Sequence, residues 1–349
     1  MDNKILALLP DALLPWYRAN KRDLPWRKDR NPYHVWLSEI MLQQTRVEAV
    51  KGYYSRFLAA GPSIAELAKA DDSLLEKLWE GLGYYSRVRN LKKAAIQIMQ
   101  QHNGVFPDAY NKIIELSGIG AYTAGAICSI AFNQPTPAVD GNVLRVTSRL
   151  TNDATPIDSP AFRKQVSEAL MSIYPADAGD FTQALMELGA TVCKPNGKPD
   201  CKCCPCGSFC KALEQDAVMG LPVRSPKKAR RREELTVLIL NCDGHIALER
   251  RPKDGLLANL WQFPNLSGRR TLDEIISNVE KNGIKVSEIK AQVERKHIFT
   301  HVEWDMSGIY MDVANVNDRY SWLKPEEIKR DAALPTAFRM FLDEFENLR

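Results

Sequence analysis

Two carboxylates and a crowd of cysteines are the residues of this 349-residue chain whose types and surroundings could do chemistry. Glu39 stands in Trp36-Leu37-Ser38-Glu39-Ile40-Met41. In apolar surroundings the charged form of a carboxyl loses its hydration, so its pKa rises. A carboxylic acid still protonated at neutral pH is what a general acid requires. Spacing alone favours the plainer alternative, a solvated Glu on the polar face of a helix. Asp140 stands in Val139-Asp140-Gly141-Asn142, directly before an apolar-periodic run, where an Asp reads as a helix N-cap. Upstream, Leu116-Ser117-Gly118-Ile119-Gly120 is a tight glycine turn between two helical runs. Gly118 and Gly120 are expected at positive φ, bringing the backbone close to a partner. The helix beginning at Ala121 would offer that partner its free N–H groups and positive dipole end, which suits a phosphate. A phosphate grip beside a placed carboxylate points to chemistry on a nucleic acid.

Of the eight cysteines, Cys193, Cys201, Cys203, Cys204, Cys206 and Cys210 lie close together, and only Cys128 and Cys242 stand apart. Such crowding in an apparently cytosolic chain favours a metal site over disulfides. Thiolates grouped just beyond a helix end suit an iron–sulfur cluster or zinc. Lys194, Lys198, Lys202 and Lys211 would make this loop cationic towards a phosphate backbone.

Several elements must position these groups. Apolar residues recur at three- and four-residue spacing from Ile5 to about Gln100, which predicts helices. Met1 to Trp16 reads as the first helix and not as a targeting segment. Leu24 to Arg27 reads as a loop, and Pro32 to Val47 as the helix that carries Glu39. Gly81-Leu82-Gly83-Tyr84-Tyr85-Ser86-Arg87 is a loop of glycines, aromatics and a cation ahead of a basic helix, a pattern that suits a DNA contact. Arg145 to Thr191 is helical again. Between Gly220 and Arg232, two prolines and six basic residues mark a linker. Beyond it, Leu235–Leu240, His245–Glu249, Gln292–Phe299 and Val302–Asp312 read as strands, with helices over Thr271–Asn282 and Thr336–Asn347. The composition is that of an ordinary globular protein, and the net charge of +4 argues nothing about nucleic acid by itself. No apolar run approaches the roughly 18 residues of a membrane span. A cytoplasmic place is expected, nucleoid-associated in a bacterium, with a monomer as the default.

The glycine turn, the Gly-Pro-rich loop after it and Asp140 resemble the helix–hairpin–helix motif of base-excision DNA glycosylases related to endonuclease III. Ser38-Glu39-Ile40-Met41-Leu42-Gln43-Gln44-Thr45 is similar to the catalytic helix of the MutY-type adenine glycosylases, and Gly255 to Pro264 is similar to a segment of their C-terminal domains, which resemble Nudix hydrolases. The resemblance implies a mainly α N-terminal region with an Fe–S loop, followed by an α+β Nudix-like domain. Its expected boundaries are 1–218 for the helical region, 219–233 for the basic linker and 234–349 for the Nudix-like domain. Within the helical region, a six-helix barrel module would cover about 25–135, and a helical and cluster module about 1–24 and 136–218.

The resemblance also assigns roles. Glu39 would be the general acid and Asp140 the charge that stabilises the sugar, kept ionised by the helix start it caps. Tyr122 and Asn142 would complete the catalytic set. Tyr122 occupies the place where bifunctional relatives carry a lysine nucleophile, which implies a monofunctional enzyme. Arg27, Gln44, Thr45, Leu82, Tyr84, Gly118 and Gly120 would contact DNA. Phe299-Thr300-His301 is similar to a Phe-Ser-His loop that meets 8-oxoguanine, so Thr300 and His301 join that set. A [4Fe–4S] cluster would be held by Cys193, Cys201, Cys204 and Cys210. Their spacing, x7, x2 and x5, departs by one residue from the family's x6, x2 and x5. The partner would be double-stranded DNA holding adenine opposite 8-oxoguanine or guanine. The acids Asp273, Glu274 and Glu280 do not form the Nudix REUxEExGU helix, so the C-terminal domain is expected to read a base and not to hydrolyse nucleotides.

Overall fold

A computed structural model describes residues 2–61, 63–226 and 229–348. Lys227 and Lys228 of the expected linker lie outside the described residues. The chain divides into two compact units, residues 1–69 with 89–226 and residues 70–88 with 227–349. These limits differ from the expected ones, because residues 70–88 join the second unit.

The first unit is built of helices and their connecting turns. Its N-terminal stretch is two helices, Asn3–Leu6 and Leu9–Asn20, and not one. The break falls before Pro10, which sits in the first turn of the second helix, where its missing N–H costs no helical bond; Pro15 lies further inside the same helix. The Glu39 helix is Pro32–Leu42, with the Asn31 side chain accepting from the Tyr33 N–H at 2.9 Å and Pro32 in the first turn. Its residues from Val35 to Met41 are all buried, so it is a core helix without a polar face. It ends short of Val47. Gln44 has φ +56°, a left-handed conformation that an α-helix of L-residues cannot propagate, and a new helix runs from Val47 to Ala60.

The Asp140 helix, Gly141–Thr151, crosses close to Ala178–Thr191. Close approach is possible because a Cβ on Gly189 would lie 2.6 Å from the Cβ of Asn142. Beneath both, Leu9, Leu13, Tyr17, Phe162, Phe181 and Leu188 share one buried core.

Among the described residues the second unit holds seven strands: β1 (Arg231–Cys242), β2 (His245–Arg250), β3 (Trp261–Gln262), β4 (Asn265–Ser267), β5 (Val286–Ile298), β6 (Val302–Val313) and β7 (Ser321–Leu323). They form a sheet of order β3-β2-β1-β6-β5, with β4 on β1 and β7 on β2. Only β1 and β6 run parallel among these pairs. β1 starts at Arg231, inside the expected linker, because its backbone finds partners on β6 from Val302 onwards.

Both faces of β1 are covered. Val237 and Ile239 pack with Phe338, Phe341 and Leu342 of the helix Thr336–Asn347, and Leu238 and Leu240 pack with Ile275 and Val279 of the helix Leu272–Lys281. That two-sided burial is why its sequence reads as a continuous apolar run. Segment 70–88 is tied to this unit by polar bonds. Arg250 reaches Glu76 at 3.2 Å, Lys77 donates to the Ala332 carbonyl at 3.2 Å, and Glu80 accepts from the Leu334 N–H at 3.0 Å and pairs with Arg339.

Gly308 on β6 lies so close to Phe341 that a Cβ would stand 2.4 Å from its Cε1. Overpacking of this kind costs about 1–3 kcal/mol. Gly308→Ala is therefore expected to lower the unfolding free energy by that amount, seen as a lower urea midpoint at an unchanged slope; an unchanged midpoint would refute the contact.

Candidate active site

A cleft of about 670 Å³ opens in the first unit, lined among others by Glu39, Tyr122, Asp140, Asn142, Gln183 and Met186. Its size is in the range of small-molecule sites. Four helices supply these residues, so no single stretch of sequence contains the site. Glu39 is 6% exposed. The Tyr122 hydroxyl, on the helix Ala121–Ile130, donates to Glu39 Oε2 at 2.5 Å. Burial raises the Glu39 pKa to about 7; Asp140 adds to the rise, while Tyr122 and Arg27 oppose it. The solvated alternative left open by spacing does not hold.

Asp140 is a true N-cap. Oδ1 accepts from the Val143 N–H at 2.8 Å and Oδ2 from Asn142 Nδ2 at 2.7 Å. Capping does not keep its pKa low, contrary to expectation. Burial raises it, against the bonds from Val143 and Asn142 and the charge of Arg145. Both carboxyls are thus shifted upward, and what separates them is their bonding: Asp140 is held by two donors and Glu39 by one phenol. Asn142 is fixed in turn, its Oδ1 accepting from Arg145 Nη2 at 2.8 Å.

Gly118 has φ +77°, as expected, and a Cβ there would meet Asn90 at 2.6 Å. Gly120 does not take positive φ. At φ −101°, ψ 178° it is the extended N-cap residue of Ala121–Ile130, where a Cβ would meet nothing within 4 Å. Its place leaves the first turn of that helix open.

Residues 37–175 match the HhH-GPD superfamily of base excision DNA repair proteins, and residues 235–344 match a NUDIX domain. An adenine DNA glycosylase of Arabidopsis thaliana is 37% identical over 83% of this chain and 55% of its own length. That of Rattus norvegicus is 34% identical over 97% of this chain and 78% of its own length. The chain belongs to the adenine DNA glycosylase family. A solved endonuclease III–DNA covalent intermediate shares the fold of the helical part, with a TM-score of 0.53 at 22% identity over 62% of this chain and 99% of that one.

The remaining residues expected at a glycosylase site fall in several places. Gln44 and Thr45 lie in the turn after the Glu39 helix. In the second unit, Leu82 is buried, whereas Tyr84 is 46% exposed with φ +49°. The Tyr84 hydroxyl meets Thr300 Oγ1 at 2.6 Å. Non-glycine residues at positive φ are uncommon, and both Gln44 and Tyr84 take that conformation. Thr300 and His301 are exposed in the β5–β6 turn, closed by the Phe299 N–H donating to the Val302 carbonyl at 2.8 Å. Phe299 is anchored edge-on between His297 and Trp304. Arg27 is engaged inside the first unit, donating to Glu187 Oε2 at 2.7 Å.

Cys193, Cys201, Cys204 and Cys210 line one cavity whose other walls are largely apolar, including Val146 and Leu188. Cys203 is exposed, whereas Cys206 is buried with its thiol hydrogen-bonded to that of Cys204. The extra residue between Cys193 and Cys201 is absorbed in a bend at Gly197 (φ +72°), closed by the Asp200 N–H on the Val192 carbonyl at 3.1 Å and by Lys194–Asp200 at 2.6 Å. Among the described residues no group of three or more His, Cys, Asp or Glu side chains could hold a metal ion. Four thiols around one cavity are compatible with an iron–sulfur cluster. In the second unit Glu274 serves as the capping partner of Thr271, so it is not set beside Asp273 and Glu280 as a metal ligand.

Sequence reasoning missed three groups here. Arg145 and Met186 gave no signal inside ordinary helical runs. Neither did Glu187, 1% exposed and bonded by Arg22 Nε and Arg27 Nη2, each at 2.7 Å. Burial pushes the Glu187 carboxyl up, but the two arginines outweigh it and bring it to about 2. A depressed pKa contributes stability that is present above the unfolded value and lost as pH falls towards the folded one. Glu187→Gln should therefore cost up to about 3 kcal/mol at neutral pH. In urea unfolding the cost should stay constant down to about pH 4.5 and shrink from there towards about 2. A cost that does not depend on pH would refute the ion-pair account.

Proposed function

We propose that this chain hydrolyses the N-glycosidic bond of adenine mispaired with 8-oxoguanine or guanine, as a monofunctional enzyme of base excision repair. The observation that carries this reading is a buried carboxyl with a pKa of about 7, hydrogen-bonded to Tyr122 and sharing one cleft with the capped Asp140. A glycosidic bond inside a duplex is out of reach, so the adenine is flipped into the cleft. Glu39 gives its proton to N7, and adenine leaves as a neutral base instead of an anion. The C1′–N9 bond breaks as positive charge builds on the sugar. Asp140 opposes that charge, oriented by Val143 and Asn142. Water adds at C1′, and the proton it releases restores the Glu39 carboxyl. The product is an abasic site. Tyr122 has no amine with which to form an imine, so strand cleavage does not follow.

Gln44, Thr45, Leu82 and Tyr84 fill and brace the duplex in this reading. The hairpin turn at Gly118 and the open helix start at Gly120 hold a phosphate. Thr300 and His301 meet the base opposite the adenine, and Phe299 anchors their turn. Arg27 acts through Glu187 as a wall of the cleft. Cys193, Cys201, Cys204 and Cys210 hold a [4Fe–4S] cluster, with Cys203 and Cys206 outside the ligand set. When bound, the cluster supplies a four-point staple for the loop behind the Asp140 helix. The protein acts as a monomer on duplex DNA at the nucleoid.

Single-turnover assays on duplexes with adenine opposite 8-oxoguanine, guanine or cytosine test the reading, with a thymine-glycol duplex as the rival substrate. Strand breaks at adenine should require alkali and vanish in Glu39→Gln. Excision should fall as pH rises through about 7. Alkali-independent cleavage at thymine glycol would assign the chain to the lyases. For the cysteines, iron analysis should find cluster iron lost in Cys193→Ser and retained in Cys203→Ser; the reverse would reassign the ligands.

A further inference from the structure

Tyr122 has one proton and two acceptors within reach. Its hydroxyl oxygen lies 2.5 Å from Glu39 Oε2 and 3.9 Å from Met186 Sδ. Met186 belongs to the helix Ala178–Thr191, is half-buried and lines the same cleft. A thioether sulfur is a weak acceptor. We propose that Met186 is a positioning residue that shares the Tyr122 proton with Glu39, weakens the bond that would stabilise the Glu39 carboxylate, and so keeps the acid in its proton-bearing form.

A hydrogen bond to the charged form of an acid favours that form. A phenol committed wholly to Glu39 therefore works against the acid it touches. The groups that face Glu39 come from three other elements. They are Tyr122 on the helix Ala121–Ile130, Asp140 at the start of the helix Gly141–Thr151, and Arg27 on the short turn Pro25–Arg27. Burial and Asp140 favour the neutral acid, whereas Tyr122 and Arg27 favour the carboxylate. Arg27 is bound to Glu187 at 2.7 Å. The Tyr122 bond is thus the opposing influence that a neighbouring acceptor can moderate, and Met186 is placed to do so. The inference rests on the acid role proposed above for Glu39.

Two variants of the full chain separate acceptor capacity from volume. Met186→Leu keeps the bulk and removes the sulfur, whereas Met186→Gln keeps an unbranched chain and adds an amide oxygen. Single-turnover excision of adenine opposite 8-oxoguanine is followed across pH for both. The alkaline limb should move to lower pH by about half a unit in the Leu variant. In the Gln variant it should stay in place or move to higher pH. Coincident limbs in the Leu variant and the native protein would overturn the proposal. So would a uniform loss of rate at every pH, or equal shifts in both variants. A direct readout needs no turnover: the Glu39 carboxyl stretch, taken as the infrared difference between each protein and its Glu39→Gln counterpart, should titrate at lower pH in the Leu variant. A native protein that excises no adenine would defeat the wider reading, and the infrared titration would still decide the role of Met186.

Discussion

The catalytic half of this protein depends on one buried guanidinium. Arg145, 3% exposed, donates to Asn142 Oδ1 at 2.8 Å, to the Gly189 carbonyl at 2.7 Å and to the Cys193 carbonyl at 2.8 Å. With the Gly141 carbonyl at 3.4 Å, a side chain acceptor and three backbone carbonyls thus converge on a charge that has left water. Burying a cation without such acceptors costs far more than the bonds return. The constraint runs in both directions. Asn142 holds Asp140, and the Cys193 carbonyl begins the cysteine loop, so the carboxylate and the thiol cavity share a fixed point. One turn further along the same helix, Arg149 donates to Cys193 Sγ at 3.3 Å and to the Lys194 carbonyl at 3.0 Å. The helix Gly141–Thr151 is the rod on which both ends of this arrangement are mounted.

The cleft is an exercise in unequal carboxyls. Glu39, Asp140 and Glu187 are all withdrawn from solvent, yet their surroundings differ in kind. Glu187 is matched by two guanidinium groups and is the strongest acid of the three, at about 2. Glu39 has a phenol for company and titrates at about 7. Asp140 is capped by two donors and still shifted upward by burial. Charge partners, and not burial alone, decide which carboxyl keeps its proton. Glu187 with its arginines is a wall of the cleft, whereas Glu39 is the buried carboxyl with the raised pKa.

Backbone conformation makes a similar division. Gln44 and Tyr84 take left-handed φ without being glycine, and each follows the end of a helical or turn segment that aims it outward. Arg87 braces the second of these turns, donating to the Leu82 and Gly83 carbonyls at 2.9 and 3.0 Å. The β5–β6 turn is braced by aromatic packing on Phe299, and the Arg230 guanidinium donates to the Phe299 carbonyl at 3.2 Å. In both places polar or aromatic residues behind the turn hold exposed tips in a defined geometry.

The amino-acid sequence by itself determined most element types, the N-cap at Asp140, the turn at Gly118 and the main strands of the second unit. These features are local, because capping, left-handed φ at glycine and helical or strand periodicity act over a few residues. Sequence could not decide whether Glu39 was solvated, since burial comes from the helices packed around it. Nor could it locate Glu187, Arg145 or Met186, whose significance lies in partners far along the chain. It mistook Gly120 for a positive-φ residue and carried the Glu39 helix past its end at Leu42. Tertiary structure decided these because desolvation, charge pairing and backbone termination depend on what surrounds a residue in space. The sequence named both acids, and only the packed fold set their protonation.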